Sequence, residues 1–244
     1  MTAENVSAGS MRDSTTSPTI EQLVAEPPKL HSAGGSLTSR WKLQDADLRY
    51  LDHILRPGMR TLETGAGIST VVFALKGTDH TCIVPDQGLV DRIKNFCAES
   101  AIPLANVDFV VEHSEQALPR LTRQDYDFAL IDGRHGFPAP FIDCYYVAGL
   151  LKVGGSVMID DLHIWTIELL VEYLRADANW QLGRETWHTA TFVKRTDDAL
   201  RDEWTRQPFV VKRSLRKSFL AKLRLLQRMA RTRDFTPLRR LWGT

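Results

Sequence analysis

From residue 60 to residue 194 the chain alternates short apolar runs with longer amphipathic ones, and this alternation restricts the fold more than any other feature. Of the runs at 60–63, 80–84, 107–111, 127–131 and 155–159, several are short continuous apolar stretches rather than alternating ones. That pattern suits parallel strands buried on both faces. Helical stretches separate or follow them at 68–75, 89–98, 115–121 (short), 141–151 and 164–176, and two further β-like runs close the series at 180–187 and 189–194. Parallel neighbours need crossovers, and right-handed crossovers put helices on both sides of a sheet. The expectation is a doubly wound α/β domain, mostly parallel, with an antiparallel hairpin at its C-terminal end.

The ends of the chain differ from this body. Residues 1–35 are rich in Ser, Thr, Ala, Gly and Pro without a sustained period, which predicts a mostly disordered segment with a short helix near 20–24. Residues 40–56 place Leu48, Leu51 and Leu55 at helical spacing, which predicts an amphipathic helix leading into the core. Residues 208–244 hold eleven of the 31 basic residues and one of the 30 acidic ones, so a tail of net +10 hangs on a remainder of −9. Within it, 212–231 reads as a helix with Leu215, Phe219, Leu223, Leu226 and Ala230 on one face. Such a tail contacts an anionic surface or acidic partner, or packs its apolar face on the body or on a second subunit. Few aromatics and no nucleic-acid motif argue against an RNA or DNA partner. The domain reading is therefore 1–35 as the disordered segment, 36–207 as the α/β body and 208–244 as the basic helical tail.

Cys82, Cys97 and Cys144 are odd in number and widely spaced, which fits neither a disulfide framework nor a zinc pattern. No basic-then-apolar secretory pattern opens the chain, and no apolar run approaches the roughly 20 residues a spanning helix needs. These features predict a cytoplasmic protein.

The stretch TLETGAGIST, residues 61–70, is the first candidate site. A strand ends at an acid, Glu63, and turns through Gly65 and Gly67 into a helix. Glycines permit a tight turn and close backbone approach, and a helix N-terminus offers N–H groups to an anion. The dinucleotide fingerprint fails, because Thr70 stands where its third glycine belongs, and no P-loop lysine follows. Further on, YDFALIDGRHGFPAP (126–140) ends a strand at Asp132 with His135 just beyond it. LLKVGGSVMIDDLHIW (150–165) carries a Gly-Gly turn, a strand and then Asp160-Asp161.

In order and spacing these three stretches together resemble the class I S-adenosylmethionine-dependent methyltransferases, in the branch of catechol O-methyltransferase. The resemblance covers roughly residues 41–194 and implies a Rossmann-like methyltransferase sheet. It implies that Gly65 and Gly67 wrap the methionine part of S-adenosylmethionine, with Glu63 supporting the turn and the cofactor amino group. It places Ser69 and Thr70, by hydroxyl or N–H, near the cofactor carboxylate, and counts Asp132 on the cofactor side as well. The family's ribose-binding acid is missing, since Val84 stands there; Asp86, two residues later, either reaches the ribose or serves as an ordinary turn acid. Ser114 and Glu115 match the adenine loop, and Ser114 doubles as a helix cap.

The resemblance further implies a Mg²⁺ site at Asp132, Asp160 and Asp161. Three acids at adjacent strand ends need solvation, protons or a cation, and hard oxygen donors suit Mg²⁺. The bland alternative is one helix-capping Asp and one solvated Asp. His135 stands where the branch has a catalytic lysine, and His163 is a rival base or ligand; a neutral imidazole accepts a hydroxyl proton near neutral pH. The implied activity is methylation of a hydroxyl of a small molecule with divalent-metal help. The alternatives are a metal-independent enzyme and a non-catalytic module docking through its tail.

Overall fold

The computed structural model describes residues 16–197, 200 and 202–232. Its centre is a seven-stranded sheet in the order β5-β4-β3-β6-β7-β9-β8. The strands are β3 (Arg60–Thr64), β4 (Asp79–Ile83), β5 (Val107–Val110), β6 (Tyr126–Ile131), β7 (Leu151–Ile159), β8 (Trp180–Glu185) and β9 (Ala190–Lys194). The first five pair in parallel, and β9 inserts antiparallel between β7 and β8. The doubly wound sheet and its terminal hairpin are therefore as the sequence predicts.

Why the strands read as continuous apolar runs is visible in β6. Phe128 and Leu130 enter one core, Ala129 and Ile131 the other. Period-two alternation persists in the backbone, but both faces are covered, so no polar side chain is called for. The first core lies under α2 (Asp45–Ile54), α3 (Ile68–Leu75) and α4 (Gln87–Glu99). The second lies under α5 (Ser114–Ala117), α6 (Ala139–Leu150) and α7 (Trp165–Ala176).

The expectation of a disordered segment over 1–35 is corrected where the structure describes it; residues 1–15 lie outside the described residues. Helix α1 (Ile20–Ala25) is closed by a capping box, in which Thr19 accepts from the Gln22 N–H and the Gln22 side chain accepts from the Thr19 N–H. Ile20 and Leu23 are buried in the first core, and Arg49 of α2 holds Glu21 by two hydrogen bonds of 2.8 and 2.9 Å. A short hairpin follows, β1 (His31–Ala33) and β2 (Ser36–Thr38), turning on Gly34 and Gly35 at φ of 58° and 81°. The basic tail forms α8 (Pro208–Thr232), as its pattern predicts; residues 233–244 lie outside the described residues. No helix among the described residues is long and apolar enough to cross a membrane.

Candidate active site at the carboxyl ends of the strands

Parallel pairing brings the ends of β3, β4, β5, β6 and β7 to one edge of the sheet. The ladder continues one residue past the strands. Gly65 N donates to Ile83 O (2.9 Å), Asp132 N to Thr64 O (2.9 Å) and Asp160 N to Ile131 O (3.1 Å). The glycine turn and two of the acids are thus held in register by backbone bonds. β3 lies between β4 and β6, whose connections leave in opposite directions, so the turn occupies the switch point where such sheets take ligands.

Gly65 has φ +94°, and a Cβ there would lie 2.1 Å from the carbonyl oxygen of Asp132. The turn therefore packs directly on the backbone of the first acid. Gly67 faces the N-terminal hairpin instead: a Cβ would lie 3.1 Å from Nε2 of His31. The hairpin that the sequence reading missed thus puts an imidazole against the turn.

Glu63 is 1% exposed, and its carboxylate is taken up inside the protein. Ser69 Oγ donates to Oε2 at 2.8 Å, Thr70 Oγ1 donates to Oε1, and His80 Nε2 stands 3.2 Å from Oε1. His80 is itself fully buried, its Nδ1 2.9 Å from Thr61 Oγ1 and its ring stacked 4.2 Å from Phe73. The Ser69 and Thr70 hydroxyls thus serve Glu63, which clamps the start of α3 and leaves to their N–H groups the part expected toward a cofactor carboxylate. Glu63, His80 and Cys82 also offer three potential metal donors. The Cys82 thiol is raised well above its ordinary value, by burial first and then by Glu63.

Asp86 caps α4, its Oδ1 accepting from Leu89 N at 3.0 Å, while Oδ2 lies 3.4 Å from Arg92. These are the contacts of a turn acid. Val84 is buried in the first core. Ser114 opens α5, but His113 holds the cap position. Glu115 pairs with Arg134 at 3.1 Å. Near Ser114 lies an acid the sequence reading did not single out, Asp143 of α6. It is 1% exposed, and neither of its oxygens makes a full hydrogen bond. Burial raises its pKa, with the Ser114 and Thr64 hydroxyls opposing.

Two of the three acids, Asp132 and Asp161, come together with His135. The carboxyl of Asp132 is raised well above the usual range, by burial first and then by the charges of Asp160, Asp161 and Glu63. His135 changes the picture. Its Nε2 lies 3.0 Å from Asp161 Oδ2, and His163 Nδ1 stands 3.7 Å from Asp161 Oδ1. Asp161 is held below the ordinary carboxylate value, first by the His135 hydrogen bond. Its backbone is left-handed at φ +63°, a conformation Asp tolerates and functional sites collect. Donor atoms of Asp132, His135 and Asp161 lie within 4.8 Å of one another, the spacing a cation needs. Asp160 is not in this group; it is 7% exposed, at the end of β7.

Burial pushes Asp160 up from an ordinary 3.8 to about 7, helped by the Asp161 and Asp47 charges and opposed by a backbone N–H of Asp161 and by His135. A carboxyl with a raised folded-state value stabilises the fold fully below the unfolded value and loses that contribution as pH rises through the folded one. The cation-free protein is therefore expected to lose stability to urea between about pH 4 and about pH 7. Asp160→Asn should flatten that slope; identical slopes in both proteins would remove Asp160 as the cause.

Asp47, 1% exposed, accepts from Arg184 Nη1 at 2.5 Å and Thr189 Oγ1 at 2.9 Å. Arg184 also covers the Tyr50 ring at 4.5 Å. These contacts tie α2 to the β8–β9 turn, which lies at the same edge of the sheet because Ile159 pairs with Ala190. Phe137 and Trp187, in loops, and Trp165, the first residue of α7, are 66–80% exposed.

No curated protein is a match to this sequence. Residues 62–162 match a family described as a methyltransferase domain. Among solved structures, the chain is similar to the O-methyltransferase TomG from Streptomyces achromogenes, solved with S-adenosylmethionine. Identity is 16%, coverage is 65% of this chain and 83% of that one, and the TM-score is 0.56. It is also similar to precorrin-6y C5,15-methyltransferase from Geobacter metallireducens GS-15, at 16% identity, 64% and 92% coverage and a TM-score of 0.52. At such identities the likeness is one of fold, and one fold serves acceptors of different chemistry. Residues 62–162 thus match a methyltransferase domain, and they form the centre of a fold that this chain shares with solved methyltransferases.

Proposed function

We propose that the enzyme methylates a hydroxyl oxygen of a small molecule, with a divalent cation held by Asp132, His135 and Asp161. The observation that carries this reading is the donor group of those three residues, packed against the glycine turn through the Asp132 backbone. An S-adenosylmethionine sulfonium carries an already activated methyl, so the chain's task is to hold an oxygen in line and accept its proton. Two carboxylates and one imidazole fit Mg²⁺ or Mn²⁺. A cation bound there would supply charge that lowers the acceptor's pKa and fixes its orientation. The donor chemistry fits: Asp132 is a raised, crowded carboxyl whose neighbours repel it, and a cation relieves that repulsion.

The roles of the two histidines follow from their partners. His135 is committed to Asp161 and belongs with the ligands. His163, half exposed and steered by Asp161, is the group that takes the hydroxyl proton. Phe137 and Trp165, two residues along the chain from His135 and His163 and both exposed, would serve as walls for a flat acceptor. The O-methyltransferase named among the similar structures gives the oxygen acceptor its support.

The test is a labelled-methyl screen of hydroxylated compounds with purified protein. Transfer is expected to fall on EDTA treatment and to return with Mg²⁺ or Mn²⁺. Transfer at full rate after chelation would refute the cation, and transfer confined to nitrogen or carbon acceptors would refute the hydroxyl.

A further inference from the structure

Helix α8 presents a surface that the methyl-transfer site does not use. It carries eight lysines and arginines and no carboxylate over Pro208–Thr232. At about 100° per residue, Leu215, Phe219, Leu223 and Leu226 fall within about 80° of its circumference. They are 66%, 65%, 41% and 53% exposed. Val211, Ser214, Leu225 and Met229 lie on another side and are the less exposed ones. The N-terminal part of the helix is tied to α7, where Phe209 meets the Tyr173 ring edge-on at 5.7 Å and Arg213 pairs with Glu172. The apolar stripe is thus not the side the body covers. Farther round the helix, centred about 130° from the stripe, Arg213, Arg216, Lys217 and Arg224 line a surface hollow of about 420 Å³ together with Leu220 and Ala221.

We propose that α8 docks the protein on a bilayer surface containing anionic lipid. The stripe enters the acyl boundary, and the basic hollow receives a phosphate or carboxylate headgroup. Each half of the surface narrows the occupant. Nucleic acid would satisfy the cations but leave four large apolar side chains in water. Pairing two copies of the helix would cover the stripe but bring sixteen like charges together without one carboxylate from either helix. An anionic membrane surface takes both faces at once. At about 37 Å the helix has room to lie flat, and its charge keeps it on the surface rather than across it.

The experiment is co-sedimentation of the full chain with vesicles of phosphatidylcholine alone and with about 30% phosphatidylserine, at low and high salt. Binding is expected only with phosphatidylserine, at least tenfold weaker in high salt. Two double variants are expected to lose at least tenfold in partitioning while keeping the wild-type melting temperature: Phe219→Glu with Leu223→Glu, and Arg216→Glu with Lys217→Glu. All four positions are exposed, so the fold does not depend on them. Equal partitioning on both vesicle types overturns the proposal. So does full retention by the Phe219/Leu223 variant, which would make the surface purely electrostatic and suited to nucleic acid. A dimer in light scattering that the same variant abolishes, with no vesicle binding, overturns it in favour of a second copy. None of these outcomes bears on methyl transfer, so this surface and the proposed reaction stand or fall separately.

Discussion

Gly65→Ala is expected to cost about 3 kcal/mol of stability and to abolish cofactor binding at any practical concentration. Two penalties combine. The residue is left-handed, and its new Cβ would sit 2.1 Å from a backbone oxygen that belongs to a strand end and cannot swing away. For a chain of this size, about 3 kcal/mol lowers Tm on the order of 10 °C, which thermal unfolding resolves easily. Gly67→Ala is the control. Its Cβ meets the tip of the His31 ring at 3.1 Å, a side chain that can shift, so the melting temperature should stay within a few degrees. If both variants melt alike, the turn does not lie against Asp132, and the joined cofactor and cation site is lost with it.

Asp161→Ala is expected to reduce methyl transfer on the order of 10³-fold, several kcal/mol of lost charge stabilisation. Calorimetry should find S-adenosylmethionine affinity changed by only a few-fold. Asp161 joins the proposed donor set to both histidines, so its loss removes a ligand and releases His135 and His163 together. Asp160→Asn should do much less to transfer. From sequence, Asp160 and Asp161 are indistinguishable members of one acidic pair. In the structure the left-handed backbone at Asp161 turns its carboxylate to His135, while Asp160 is buried near Asp47. Equal losses in the two variants would return Asp160 to the ligand set and break the proposed one.

How much was legible depends on how local each signal is. Strands and helices of the body follow from side-chain periodicity within a dozen residues, and all of them are where that pattern puts them to within a few positions. The N-terminal elements were also written locally: Thr19 and Gln22 have the spacing of a capping box, and the Gly34-Gly35 pair sits between two short runs. Composition rich in Ser, Thr and Gly hid the hairpin, though not the helix expected near 20–24, because it averages over the few residues that carry the signal. His80 was not legible at all. Nothing in HTCI marks that histidine as the partner of Glu63. The two meet only because β3 and β4 pair in a register that sets Thr61 beside His80 and Glu63 beside Cys82.

The sequence by itself determined the order of the elements, the switch point at Glu63–Gly67 and the arrival of Asp132, Asp160 and Asp161 at one edge. Each of these follows from short-range pattern together with the handedness of crossovers. Tertiary structure alone decided what each polar group is free to do. Glu63, Ser69 and Thr70 consume one another's hydrogen bonds, Asp86 is spent on a helix cap, His135 is drawn to Asp161, and Asp47 reaches Arg184 across 137 residues. A side chain's chemistry depends on the partners left to it in a medium that penalises unpaired polar atoms, and those partners come from distant parts of the chain.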